Sequence, residues 1–118
     1  MSYKNRLLEE TKVKLKQHGK TLKDVEWIGT ADGSEKIEGL YEFMKMADFD
    51  YNNGFGAIVI RPDLVVVGKG WWLERHEYIG CEWWEYKEQP KLQENPKKLS
   101  RLRATSEERA TVMRDKRD

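Results

Sequence analysis

The densest chemistry in the chain lies in Trp71-Trp72-Leu73-Glu74-Arg75-His76-Glu77-Tyr78 and in Cys81-Glu82-Trp83-Trp84-Glu85-Tyr86. An imidazole, a thiol and four carboxylates within a dozen residues invite three readings. The first is a metal site. His76-Glu77 lacks the second His four residues on that a zinc-protease helix needs, and no Cys-x-x-Cys pair exists, so no metal or cofactor is expected. The second is acid–base or nucleophilic catalysis. His76 beside Glu74 has the right residue types, but charges alternating with aromatics on a strand read as a surface pair. Cys81 sits in a turn whose only nearby imidazole is His76, and such a thiol has little to activate it. The chain is therefore expected not to be an enzyme. The third reading is recognition. Trp, Tyr and Arg are enriched at binding hot spots, which makes Trp72, Glu74, His76, Glu77, Glu82, Trp84 and Glu85 a candidate partner-binding set. The competing reading is a sheet covered on both faces, with the same indoles as core.

Two further patterns bear on phosphate chemistry. Gly54-Phe55-Gly56 and Gly68-Lys69-Gly70 are turn signals and not a phosphate loop, which needs Gly-x4-Gly-Lys-Ser/Thr. Lys97, Lys98, Arg101 and Arg103 cluster in the tail, and Lys12, Lys14 and Lys16 alternate near the start. Such clusters can neutralise phosphates, so the alternative function is nucleic-acid or nucleotide binding through the basic termini and Trp residues.

The elements that must position these groups follow from periodicity. Tyr3, Leu7, Leu8, Thr11 and Leu15 predict a helix over Ser2–His18, stopped by Gly19. Val25–Ile28 predicts a short strand. Ser34 as N-cap and the spacing of Ile37, Leu40, Tyr41, Met44, Ala47 and Tyr51 predict a second helix over Glu35–Tyr51. Ala57–Ile60 and Leu64–Val67 read as apolar strands covered on both faces. Trp71–Tyr78 and Glu82–Lys87 read as a hairpin. A two-residue loop would set Glu77 against Glu82 and force Ile79 to positive φ, so a three-residue loop is expected, with Arg75 opposite Glu85 and His76 opposite Trp84. After Pro90 the chain reads as extended, then as a short helix with Ser106 as N-cap.

Charge and aromatic content divide the chain in the same places. The net charge of +1 is a cancellation: +5 over residues 1–23, −8 over 24–90 and +4 over 91–118. Twelve of thirteen aromatics lie between Trp27 and Tyr86, so the acidic middle is the part that can build a core. At 118 residues the chain has room for one core. The expected organisation is a single α+β domain over residues 1–90, with a basic N-terminal helix (1–20) and an acidic aromatic core (24–88). A basic, partly helical extension (91–118) follows. The fold class is an antiparallel sheet of four to five strands packed by one or two helices. No apolar run approaches the roughly 20 residues of a membrane span. A lone Cys and a charged start without a signal segment point to the cytoplasm.

Residues 21–90 resemble small uncharacterised proteins encoded by phages and mobile elements of Gram-positive bacteria. The resemblance is carried by Leu22-Lys23-Asp24-Val25, Ala47-Asp48-Phe49-Asp50-Tyr51, Gly54-Phe55-Gly56 and Asp63-Leu64-Val65-Val66-Val67-Gly68. The aromatic strings Trp71–Tyr78 and Glu82-Trp83-Trp84-Glu85 carry it further. Where that family usually has Asp-Gly in the hairpin turn, this chain has Ile79-Gly80. The resemblance brings no activity, but it implies a context in which small proteins often antagonise host defence. The expected function is a non-enzymatic binding protein of phage or mobile-element origin. It would inhibit a host defence complex such as a CRISPR effector, as anti-CRISPR proteins do. An acidic aromatic surface would compete there as a nucleic-acid mimic.

Overall fold

The computed structural model describes residues 4–54 and 56–117. Its centre is a four-stranded antiparallel sheet of β2 (Val25–Thr30), β4 (Leu64–Gly68), β5 (Trp71–Tyr78) and β6 (Cys81–Glu88), in spatial order β2-β4-β5-β6. Two short strands, β1 (Lys4–Arg6) and β3 (Asp50–Asn52), pair antiparallel beside it. Helix α1 (Leu7–Gln17) packs on β6, and the short helix α2 (Leu40–Met46) packs near β2. This is the expected α+β class, with the apolar Leu64–Val67 run in a central strand.

Cross-strand register assigns every side chain of the sheet to a face. Ile28, Val66, Leu73 and Tyr86 form one row, and Arg75 lies opposite Trp84. These point inward. Leu7, Leu8 and Leu15 of α1, Phe43 and Ala47 around α2, Tyr51 and Ile60 meet Ile28, Val66, Trp71, Leu73 and Trp84 in one buried cluster. Thr11 stands in the same helical stripe because its hydroxyl accepts a 2.9 Å hydrogen bond from the Trp84 indole and donates to the Leu7 carbonyl at 2.8 Å. A buried indole N–H needs such a partner. Gly68 leaves room for the Trp71 ring, since a Cβ there would fall 2.1 Å from its Cε2.

Five expectations are corrected, the last of them in the C-terminal extension. The predicted first helix begins later, at Leu7, because residues 4–6 pair with 50–52; the ion pair between Arg6 and Asp48 ties the two segments together. Residues 1–3 lie outside the described chain. The predicted second helix is confined to Leu40–Met46. Gly39 is extended, Lys36 bridges Gly29 at the edge of β2, and Tyr51 is drawn into β3. Ser34 is not a helix cap. Its backbone N–H and hydroxyl donate to Asp32, which together with Thr30 hold that carboxyl down at about 2.

The third correction concerns residues 57–60, which form no strand. Their potential ladder is replaced by a side chain: Glu82 accepts from the N–H groups of Val59 at 2.6 Å and Ile60 at 3.1 Å. The fourth is the hairpin. Tyr78 pairs with Cys81 and Glu77 with Glu82, so the loop has two residues, and Ile79 (φ 49°) and Gly80 (φ 82°) are both left-handed. That is the backbone signature of a type I′ turn. The expected like-charge cost is offset because the Glu82 carboxylate is bonded to the buried Arg75 guanidinium, while Glu77 at the end of the same face stays exposed. The tip is pinned further by Asn53 and Gly54: the Glu82 N–H donates to the Asn53 carbonyl and the Cys81 thiol to the Gly54 carbonyl.

Residues 87–111 are all exposed. Helix α3 (Ser106–Arg117) starts from Thr105 rather than Ser106 as N-cap. Thr105 Oγ1 accepts from the Glu108 N–H, and Glu108 returns the bond to the Thr105 N–H at 2.7 Å, a capping box.

Candidate functional site

The hairpin separates the sequence-derived set into two groups. Glu82 and Trp84 point inward and are 3% and 2% exposed, so they are structural and cannot meet a partner in this fold. Around them lies a buried polar network. Arg75 donates to Glu10 at 2.9 Å, to the Tyr51 hydroxyl at 3.0 Å and to Glu82 at 3.0 Å, with its guanidinium 4.8 Å over the Trp84 ring. Tyr51 in turn donates to Glu10 at 2.6 Å. Burial works against the Arg75 charge, but the bond to Glu10 and its neighbours outweighs it and raises the Arg75 pKa. Burial and the Glu10 bond likewise push the Tyr51 phenol up. Two carboxylates and a phenol oxygen around one guanidinium lock α1, β3, β5, β6 and residues 59–60 together.

The other group points outward. Trp27, Val67, Trp72 and Lys87 form one row across the sheet, Gly29, Val65, Glu74 and Glu85 the next, and His76 with Trp83 the third. Leu7, Leu8 and Leu15 of α1 and Phe43 of α2 are buried in the inward cluster. The outer face therefore carries three half-buried indoles, Trp27, Trp72 and Trp83. Its side chains are held in place by a chain of contacts along β5. The Trp72 indole donates to Glu74 Oε1 at 2.6 Å, Glu74 Oε2 meets His76 Nε2 at 2.7 Å, and the His76 ring stacks on Trp83 with centroids 6.5 Å apart. The Trp72 bond, and then the His76 contact, hold the Glu74 carboxyl below its ordinary value against the opposing effect of partial burial. Glu85 stands directly opposite Glu74.

Chemically, this face offers aromatic surface around two adjacent carboxylates. It suits a cation with apolar or planar character, above all an arginine side chain, which can stack on an indole and pair bidentately with a carboxylate. Among the described residues, no three His, Cys, Asp or Glu side chains converge as metal ligands. Glu77 is exposed at the end of the inner face, beside the core rather than on the aromatic grid.

In the tail, Lys97, Lys98, Arg101 and Arg103 are exposed. Arg101 is engaged: it donates to both Glu108 carboxylate oxygens, at 2.9 and 3.2 Å, and to the Arg103 carbonyl at 2.9 Å. Glu108 is lowered in turn, first by Arg101. Sequence reasoning missed Trp27, whose place on the outer face depends on the pairing of β2 with β4, and Glu10, the helix-borne partner of Arg75. No protein-family model, no curated protein and no solved structure matches this chain.

Proposed function

We propose that the chain is a non-enzymatic binding protein that docks through the outer face of its sheet onto an arginine-bearing, basic protein surface. The observation that carries this reading is the grid of Trp27, Trp72 and Trp83 around Glu74 and Glu85, on the face opposite the helices. A well-packed indole at such a centre is worth about 2 kcal/mol or more of binding, which is roughly thirtyfold in affinity. Trp83→Ala should therefore weaken binding to an arginine-rich peptide at least tenfold, and Glu74→Gln with Glu85→Gln should weaken it comparably. Unchanged affinity in both variants would refute the docking face.

The finer proposal is that the partner is a host defence complex, whose nucleic-acid groove presents such a basic surface. An acidic aromatic face would occupy that groove in place of phosphates. Expressed in a CRISPR-bearing host, the chain should restore phage plaquing, and its Trp72→Ala/Trp83→Ala variant should not. Equal plaquing with and without the chain would refute inhibition of that class of target.

A further inference from the structure

A second charged surface lies away from the aromatic face, on α1 and the turn that follows it. Lys12, Lys16, Lys20 and Lys23 line one open hollow together with Thr21 and Leu22. Lys12 and Lys16 are one helical turn apart and so share a face of α1. The turn after α1 brings Lys20 and Lys23 alongside. Gly19 is left-handed (φ 71°), and the N–H groups of Gly19 and Lys20 return to the Lys16 and Leu15 carbonyls. Lys20 is steadied over the Trp71 ring, 5.8 Å from its centroid.

The field of this cluster is scarcely neutralised. Lys12 reaches Glu9 at 3.7 Å. Among the described residues, Lys16, Lys20 and Lys23 have no carboxylate within ion-pair distance. The nearest acid in sequence, Asp24, is turned back to accept from the Thr21 N–H at 2.8 Å, closing a capping box around the turn. Four lysine side chains thus line one concavity, its walls formed mainly by their apolar stems, on a domain whose middle segment is net acidic.

We propose that this lysine hollow binds the phosphate backbone of a nucleic acid, independently of the aromatic face. Four lysines gathered on one side of α1 and its turn supply point charges that a strand of phosphates can engage. Trp71, the aromatic beneath it, is only 4% exposed and cannot serve as a stacking platform, so the contact would position a backbone without reading its sequence. Together the two faces would let the chain grip a nucleoprotein complex on its protein and on its nucleic acid.

The test is a salt titration of binding to a mixed-sequence oligonucleotide, single-stranded and duplex. Each phosphate contact contributes about −0.7 (single strand) or −0.9 (duplex) to the slope of log K against log salt, so four contacts predict a slope of about −3 to −4. Lys16 and Lys23 are exposed, and Lys16→Gln/Lys23→Gln should keep the folded circular-dichroism spectrum while making the slope shallower by about 1.4 to 1.8. Lys97→Gln/Lys98→Gln, in the tail, separates the two basic regions. An unchanged slope in Lys16→Gln/Lys23→Gln would overturn the proposal, and with a loss in the tail variant it would move the contact to the tail. No binding at 50 mM salt would overturn it too. So would stronger, equally lysine-dependent binding to phosphatidylserine vesicles than to either oligonucleotide, which would make the hollow a membrane contact.

Discussion

Replacing Glu82 by alanine separates a structural carboxylate from a binding one. Glu82 is 3% exposed and accepts three hydrogen bonds: from Arg75, Val59 and Ile60. Breaking a buried ion pair by removing one partner costs about 3–5 kcal/mol. Two features place the loss at the lower part of that range. Arg75 keeps Glu10 at 2.9 Å, and the Val59 N–H belongs to a residue 55% exposed, so water can replace the lost acceptor. The buried Ile60 N–H has no such recourse and contributes about 1–3 kcal/mol on its own. A loss of about 3–4 kcal/mol follows, which lowers the Tm of a domain this size by roughly 12–30 °C. Urea unfolding followed by fluorescence of the buried Trp71 and Trp84 reads it directly. Glu77→Ala, directly across the strand but exposed, should stay within about 0.5 kcal/mol of the parent. If Glu82→Ala lost less than about 1 kcal/mol, the network would not be holding the hairpin against residues 59–60.

Three further outcomes follow from the same geometry. Thr11→Val keeps the shape of the side chain but leaves the Trp84 indole N–H without its acceptor; chemical denaturation should show a loss of about 1–3 kcal/mol. Ile79 is held at φ 49°, and a left-handed β-branched residue costs about 1–2 kcal/mol, so Ile79→Asn should raise Tm by several degrees, with no gain counting against the two-residue turn. The Glu74 carboxyl lies below 4.5, held first by the Trp72 indole. Its contribution to stability is full above 4.5 and fades as pH falls through the lower folded value. NMR titration of the Glu74 carboxyl in Trp72→Phe should therefore move its pKa up toward 4.5, and no movement would deny the indole its part.

How much of this was legible depends on whether a feature is set locally or by a distant partner. The alternation of Trp71 to Tyr78, the apolar run Leu64–Val67 and the stripe Leu7, Leu8, Thr11, Leu15 reveal strand, central strand and helix face directly. The long helix over 35–51 failed because helical spacing was satisfied by residues whose backbone bonds go elsewhere: Lys36 to Gly29, Tyr51 to Asn5. The strand at 57–60 failed because a carboxylate 22 residues away took its N–H groups. The hairpin register failed for the same reason. Judged as a two-strand problem, Glu77 against Glu82 is repulsive; only Arg75, Glu10 and the amides of 59–60 make an inward Glu82 favourable. That one side chain explains why Glu82 and Trp84 left the candidate surface, while Trp72, Glu74, His76 and Glu85 lie on it with Trp27 and Trp83.

The central claim is that the outer face of the sheet is the binding surface, and the five indole N–H signals of the protein test it most directly. Trp27, Trp72 and Trp83 lie on that face, whereas Trp71 and Trp84 are 4% and 2% exposed in the core. Titration with a short arginine-rich peptide should shift the indole resonances of Trp27, Trp72 and Trp83 saturably and leave those of Trp71 and Trp84 in place. Saturable binding that leaves the three outer indoles unmoved, or no binding at all, would contradict it.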